Sequence, residues 1–165
     1  MSENAEIFVS KDKDSFNIKV CGRATFAVAP TMRNIIQRIA SDNDIRHLSV
    51  NLASCDGMDS TFMGILTQLA LTCNKMYTEK VKVLNPGEAN IKLLHGLGLD
   101  RIFNYVTIAE PQIGNWDKED CSKPSFRDNA ETVLNAHKTL IETVPSNAKK
   151  FDAVVTQVEK ELKNS

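Results

Sequence analysis

The sequence predicts an α/β protein in which a mixed β-sheet has helices packed on it, followed by a C-terminal helical hairpin. Strand-like and helix-like patterns alternate along the first 108 residues, and strands and helices that alternate in this way imply crossover connections between parallel strands. Two strand-like runs open the chain with only a short charged turn between them, so one strand pair should be antiparallel. Two apolar stripes with helical spacing follow later in the chain, separated by Pro145.

Five strands are predicted from short runs in which apolar and polar residues alternate. In the second run, Phe16, Ile18 and Val20 alternate with polar neighbours, which is the pattern of a strand with one buried face. The runs are EIFVS (6–10), SFNIKVCG (15–22), HLSVNL (47–52), KVKVLN (80–85) and RIFNYVTI (101–108).

Three helices are predicted between these strands. The first, 29–43, has Pro30 in its opening turn, where the missing N–H group does no harm. The second, 62–80, is apolar on most of its faces, so we expect it to be well buried. The third, 86–100, should end at a glycine. The residues of the third helix that should point inward are Ile91, Leu94 and Leu97.

We divide the chain into a domain (1–108), a linker (109–126) and a helical extension (127–165). The linker is rich in Pro, Gly, Asn and charged residues, and it contains Trp116, a candidate anchor on the domain. The extension should form a hairpin that packs on the domain or on a second copy of the chain, because isolated helices of this length are marginal in water. Packing on a second copy would give a homodimer through the C-terminal helices. Leu140 and Val155 should be among the most buried residues of the extension. The apolar stripes comprise Ala130, Val133, Leu134, Leu140, Ile141, Val144, Phe151, Val154, Val155, Val158 and Leu162.

The bulk composition argues against several classes of function. The 20 Lys and Arg residues balance 21 Asp and Glu, and aromatic residues make up only 6%, so neither a nucleic acid nor an anionic membrane is an expected partner. No apolar run approaches the roughly 20 residues of a membrane span, and the first residues do not resemble a signal peptide, so a cytoplasmic protein is expected. The four cysteines form no CxxC pair and have no His at ligand spacing, which argues against disulfides, a metal site or another cofactor.

An Asp-Ser-Thr triplet (59–61) lies between a predicted buried strand and the second predicted helix, in the stretch CDGMDSTFMGIL (55–66). Asp and Ser are preferred N-cap residues, so capping alone accounts for their presence. A helix N-terminus also tolerates an added anion, because free N–H groups and the positive end of the helix dipole lie there. The residues themselves leave open whether the triplet only caps the helix or is also a site where a group is attached or recognised.

The sequence offers no recognisable set of catalytic residues. His47, His95 and His137 fall in three different elements without a carboxylate at useful spacing, so each is expected to be a surface or partly buried residue. Ser60 is not in the GxSxG motif of hydrolases, and NPGEAN (85–90) lacks the Lys-Ser/Thr of a phosphate loop. A binding module is therefore favoured over an enzyme.

The junction and the order of elements resemble a STAS domain, the module named for sulphate transporters and anti-sigma factor antagonists. The resemblance covers about the first 108 residues and is strongest in VNLASCDGMDSTFMGILTQLA (50–70), where a strand, an Asp-Ser-Thr triplet and an apolar helix follow one another. Phe62 stands where the family often has Gly, and the acidic residue common after the second strand is absent, with Thr25 near that place. The matching residues are Asp59, Ser60, Thr61, Gly64 and Leu66.

The resemblance implies a phosphorylation-controlled binding module of the anti-sigma factor antagonist branch. Ser60 would be the phosphoacceptor of a serine-kinase anti-sigma factor, which the unphosphorylated antagonist binds so that a sigma factor is freed, and a phosphatase would reset the switch. ATP would belong to the kinase, so this chain would need no cofactor. Gly64 would have a structural role at the site. The expected partner-binding residues are Asp59, Ser60, Thr61, Phe62 and Met63.

Two other interpretations remain open. In one, the same surface docks constitutively on a transporter or signalling complex as an accessory subunit, and Ser60 is only a cap. In the other, the junction binds a small ligand as a sensor. The sequence does not decide between a switch and a scaffold.

Overall fold

The computed structural model describes residues 5–77, 79–109 and 115–164, so the predicted features in 1–4 and 110–114 lie outside the described residues. Short 3-10 turns lie at Asp100–Ile102 and Pro145–Asn147. The strands are β1 (Glu6–Asp12), β2 (Ser15–Ala24), β3 (His47–Asn51), β4 (Cys55–Met58), β5 (Lys82–Leu84), β6 (Asn104–Val106) and β7 (Asp117–Lys118). The helices are α1 (Ala29–Ala40), α2 (Ser60–Met76), α3 (Glu88–Gly96), α4 (Phe126–Thr143) and α5 (Ala148–Lys163).

The strands form one mixed sheet, which confirms the predicted fold class. β1 and β2 are an antiparallel pair whose register runs from Glu6 opposite Cys21 to Asp12 opposite Ser15. β2, β3, β5 and β6 are parallel to one another, as expected for strands joined by crossover helices. The strand order is β6-β5-β3-β2-β1-β7, and β4 pairs with the end of β2.

β2 changes partner along its length, and this change positions the start of α2. Its first half pairs with β3, and its last residues pair with β4 after a register shift between Gly22 and Arg23. Gly22 has a φ of 91°, a conformation that glycine adopts without steric strain. The sequence does not predict β4, because the strand has only four residues and no alternation of apolar and polar side chains. β4 leads directly into the Asp-Ser-Thr triplet.

The predicted linker contributes to the sheet. Asp117 and Lys118 form β7, which pairs antiparallel with β1. The Trp116 ring lies under the Lys19 ammonium, with 4.7 Å between Nζ and the ring centroid, so the segment is attached to the domain by a cation–π contact. The last predicted strand, 101–108, is shorter than expected, because a 3-10 turn occupies its first residues and β6 begins at Asn104.

A single hydrophobic core joins the sheet, the helices and the C-terminal extension. Burial alternates along β1 and β2, so one face of the sheet carries the core side chains. The core extends through α1 and α2 to Ala136 and Leu140 of α4. The α4–α5 hairpin is therefore packed on the domain.

Helix α2 is well buried because it packs against α4 and α1 and its apolar side chains belong to the core shared with the sheet. This confirms the expectation of a well-buried second helix. α4 also contacts α1, whereas the principal contacts of α5 are with α4 and the 3-10 turn before it. Leu140 is fully buried, as predicted. The prediction for Val155 is wrong: none of the residues described in α5 is buried, since this helix packs mainly against one neighbour.

Helix α3 has its inward face rotated from the predicted one. Leu94 and Leu97 are buried as predicted, but Ile91 is 37% exposed. The residue that takes the inward position is Asn90, whose Nδ2 donates a hydrogen bond of 3.0 Å to the carbonyl oxygen of Cys55. A buried polar residue with a backbone partner therefore joins α3 to β4, and an apolar pattern does not reveal it.

Candidate functional site

The Asp59 carboxylate organises the N-terminus of α2. Asp59 is the N-cap residue, and its Oδ1 accepts a hydrogen bond of 2.8 Å from the backbone N–H of Phe62. Its Oδ2 accepts a second bond of 2.8 Å from the backbone N–H of Phe26, in the loop between β2 and α1. One side chain thus caps the helix and fastens a neighbouring loop to it.

Ser60 is the first residue of α2, and its hydroxyl contacts the C-terminal extension. Its Oγ lies 2.9 Å from Nε2 of His137 in α4. Nδ1 of His137 lies 2.7 Å from the carbonyl oxygen of Val133. Because a carbonyl only accepts, Nδ1 carries a proton, and Nε2 is the ring atom that pairs with the Ser60 hydroxyl.

His137 is held firmly in this position. It is 3% exposed, and its ring meets the ring of Phe151 of α5 edge to face at a centroid distance of 5.0 Å. Both ring nitrogens have partners within α4 or α2. The ring therefore lies between the hairpin and the start of α2, with its orientation fixed from both sides.

One helical turn beyond Ser60, α2 and α4 approach each other at Gly64. A Cβ atom added to Gly64 would lie 2.5 Å from the carbonyl oxygen and 2.8 Å from the Cβ of Ala136. The absence of a side chain at this position is what allows the two helix backbones to come so close. The contact leaves no space for a substrate between the helices at this turn.

Hydrogen bonds from three polar side chains extend the attachment of the hairpin. Nε2 of Gln68 donates to Oγ1 of Thr139 at 3.1 Å. The buried Asn147 side chain donates to the carbonyl oxygens of Leu97, at 3.0 Å, and Leu140, at 3.1 Å. Lys150 donates to the carbonyl oxygen of Gly96 at 2.8 Å. The hairpin is thus attached at α2 and also after α3.

The remaining titratable groups do not extend the site. His47 pairs with Glu79 and His95 with Asp100 at the surface. The hydrogen bond from His47 lowers the pKa of Glu79. Burial raises the pKa of the Cys73 thiol to about 11, which keeps it protonated and unreactive.

The described part of the chain has neither a metal-binding cluster nor a membrane-spanning helix. Within the described ranges, no group of three or more His, Cys, Asp or Glu side chains is placed to hold a metal ion. In the same part of the chain, no helix combines the length and apolar character needed to span a bilayer.

No family model matches the sequence, and no curated protein matches it. Among solved structures, the chain is similar to an anti-sigma factor antagonist from Mycobacterium paratuberculosis, with a TM-score of 0.53 and 20% identity over 81% of this chain and 97% of that one. It is also similar to the Bacillus cell fate determinant SpoIIAA in its phosphorylated form, with a TM-score of 0.53 and 15% identity over 63% and 92% of the two chains. The unphosphorylated form of SpoIIAA gives a TM-score of 0.51 at 15% identity.

The fold of the chain is STAS-like. This confirms the resemblance predicted from the Asp-Ser-Thr junction and the order of elements. At these identities the likeness concerns the fold.

Within the STAS-like domain, the five predicted partner contacts divide into two groups. Asp59 and Ser60 are partly exposed at the start of α2. Thr61, Phe62 and Met63 are buried, with no exposed surface at all on Phe62, so their role in partner contact stays a prediction and needs a different conformation. Phe26 presents a side chain that is 51% exposed in the loop bound by Asp59, and the sequence analysis does not identify it.

The prediction that His137 is a surface or partly buried residue is wrong: it is buried, and it contacts Ser60. It lies 77 residues from Ser60 and in a different element, so no local motif connects the two. The available signal is its position between Val133 and Leu140, on the stripe of an amphipathic helix, where a His requires a polar partner if it is buried.

Proposed function

We propose that this protein is a phosphorylation-controlled binding module, an anti-sigma factor antagonist that binds a serine-kinase anti-sigma factor when Ser60 is unphosphorylated. The observation that carries the proposal is the position of Ser60 as the first residue of α2 in a STAS-like domain, directly after the capping Asp59. SpoIIAA, which has this fold, has been solved in phosphorylated and unphosphorylated forms.

The proposed modification is a phosphoryl transfer from ATP bound to the kinase. The bond between the γ-phosphorus and the β–γ bridging oxygen breaks, a bond from the phosphorus to Ser60 Oγ forms, ADP leaves, and a base of the kinase takes the hydroxyl proton. The phosphate would carry about −1.5 to −2 charges beside the Asp59 carboxylate. Free N–H groups at the start of α2 make the added anion compatible with folding, while its charge changes the surface that a partner meets.

The remaining parts of the system follow from this function. A phosphatase removes the phosphate, and the freed sigma factor returns to transcription when the antagonist binds the kinase. The chain itself has no catalytic activity and no cofactor, and it acts in the cytoplasm. A homodimer through the C-terminal helices also stays a proposal, which sedimentation velocity at several protein concentrations tests.

The direct test is intact-mass analysis of the chain purified from its native host, before and after phosphatase treatment. We expect a phosphorylated fraction that phosphatase removes and that Ser60→Ala abolishes. Ser54→Ala is the matched control, because Ser54 is an exposed serine in the preceding loop. An unmodified wild-type chain under conditions in which the host's sigma factor is both active and inactive would contradict the proposal.

A constitutive accessory subunit without a phospho-switch is the second candidate. It is supported by the contacts of the triplet, since Asp59 caps α2 and Ser60 bonds to His137, so both residues have structural roles without modification. Under this alternative, Ser60→Ala and Ser60→Asp bind the partner with wild-type affinity. If phosphorylation of Ser60 controls binding, Ser60→Asp weakens the affinity for the partner and Ser60→Ala does not.

A further inference from the structure

The α4–α5 hairpin lies over the residue proposed as the phosphoacceptor. We infer that this hairpin is an intramolecular cover of Ser60, which must move away from α2 before a kinase can modify the hydroxyl or a partner can bind the start of α2. The inference rests on the proposed function, because it concerns how access to the same residue is controlled.

The first argument is steric. The Ser60 hydroxyl points at Nε2 of His137 at 2.9 Å, and the His137 ring is held by Val133 on one side and Phe151 on another. A phosphoryl group on Oγ adds a phosphorus and three oxygens, and in the closed arrangement the His137 ring occupies the direction of the Oγ–Nε2 hydrogen bond, so the partial exposure of Ser60 lies on its other side. The kinase therefore needs an open form, and the phosphorylated chain cannot return to the same closed contact.

The second argument is electrostatic. Nδ1, the other ring nitrogen of His137, is hydrogen-bonded to the carbonyl oxygen of Val133, so the ring is oriented with Nε2 toward the unmodified hydroxyl. The Asp59 carboxylate lies next in sequence and adds a negative charge. The closed contact therefore distinguishes the unmodified serine from the modified one.

The third argument is that the cover is bound by separable contacts. Ala136 packs against Gly64, Gln68 bonds to Thr139, and Asn147 bonds to Leu97. None of the residues described in α5 is buried. The hairpin can thus be loosened by substitutions on its own residues, without changing the sheet or the loop that Asp59 holds.

Thiol labelling tests the cover without any partner. In Ser60→Cys, the thiol introduced at position 60 should react slowly with iodoacetamide while the hairpin is closed. Adding Ala136→Arg, which places a charged side chain at the Gly64 contact, should raise that rate about tenfold or more by opening the hairpin. Asn135→Arg is the matched control, since Asn135 is exposed on the same helix, and it should leave the rate unchanged.

Cys73 serves as an internal reference for global unfolding. It is buried near the C-terminal end of α2, far along the helix from position 60, so hairpin opening exposes position 60 while Cys73 stays protected. Peptide-resolved mass spectrometry reports both rates in one sample. Equal acceleration at the two positions, or no acceleration at position 60 in a folded Ala136→Arg variant, would overturn the cover.

If Ala136→Arg does not fold, a second pair of variants tests the cover by the same labelling of position 60. Asn147→Ala removes the buried hydrogen bonds to Leu97 and Leu140, and the neighbouring Ser146→Ala changes an exposed residue. We expect faster labelling at position 60 only in the first of these. Identical labelling in both would also overturn the cover.

Phosphorylation in lysate from the native host, with added ATP, separates this inference from the proposed function. Both are supported if Ala136→Arg, with Ser60 intact, is phosphorylated faster than the wild type and than Asn135→Arg. Equal phosphorylation rates would refute the cover and leave the phospho-switch intact. A hairpin that opens in the labelling assay, with no phosphate on any variant, would refute the switch and leave the physical cover standing.

Discussion

The two helices of the C-terminal hairpin have similar amphipathic sequences but different surroundings. α4 buries Ala130, Ala136 and Leu140 and joins the core, whereas none of the residues described in α5 is buried. The difference lies in the neighbours: α4 packs against α2, α1 and α5, whereas α5 packs mainly against α4. Where α4 meets α2, Ala136 lies against Gly64 and the two backbones come close. An apolar stripe predicts that one face of a helix is covered, and the small residues on that stripe indicate how closely the neighbour packs.

The largest effect on stability should be the difference between substitutions at Leu140 and at Val155, two residues for which the sequence predicts similar burial. Leu140→Ala leaves a cavity in the core and should lower the free energy of unfolding by about 2–5 kcal/mol. Val155→Ala, on a half-buried position, should lower it by no more than about 1 kcal/mol. Urea unfolding curves of both variants measure the difference, and similar midpoints would contradict this account of the hairpin.

Gly64→Ala tests whether close approach explains the docking of α4. The added methyl would overlap the Ala136 backbone, and we expect a loss of about 1–3 kcal/mol together with faster hydrogen exchange in α4. Gly57→Ala is the control, because nothing lies within 4 Å of its added Cβ, and it should change stability by less than about 0.5 kcal/mol. A stable Gly64→Ala variant with unchanged exchange would show that α4 docks in another way.

The smallest effect concerns the Ser60–His137 hydrogen bond itself. A double-mutant cycle with Ser60→Ala and His137→Phe should give a coupling energy of about 1 kcal/mol, the usual net value of a buried hydrogen bond. Chemical denaturation of the four proteins supplies the cycle. Additive effects of the two substitutions would mean that the contact contributes nothing to docking of the hairpin.

Much of the fold could be predicted from the sequence because most of its elements have a local signature. The alternation of Phe16, Ile18 and Val20 predicts β2, and the Asp-Ser-Thr triplet predicts the start of α2. Short strands such as β4 and β7 have no pattern long enough to detect, since pairing with a neighbouring strand defines them. The inward position of Asn90 is not predicted for a related reason, because it depends on a hydrogen bond to a carbonyl of another element.

The site residues also fall into those that a local pattern predicts and those that only tertiary packing brings to the site. Asp59 and Ser60 are adjacent in sequence, so a capping pattern reveals them. The contact with His137 depends on how α4 crosses α2, which neither helix encodes alone. Phe26 lies at the site only because its backbone N–H, in the loop after β2, donates a hydrogen bond to the Asp59 carboxylate. Sequence patterns thus identify the centre of the site, and tertiary packing supplies its neighbours.

The double use of the Asp59 carboxylate narrows the range of amino acids that position 59 tolerates. A cap alone needs one acceptor oxygen, and Asn, Ser or Thr would each supply it. Holding Phe62 and Phe26 together needs two oxygens on a short side chain, and an amide replaces one of them with a donor. A Glu has both oxygens but one more methylene group, which moves them away from the helix end. Position 59 is therefore restricted to Asp by geometry alone, whether or not Ser60 is ever modified.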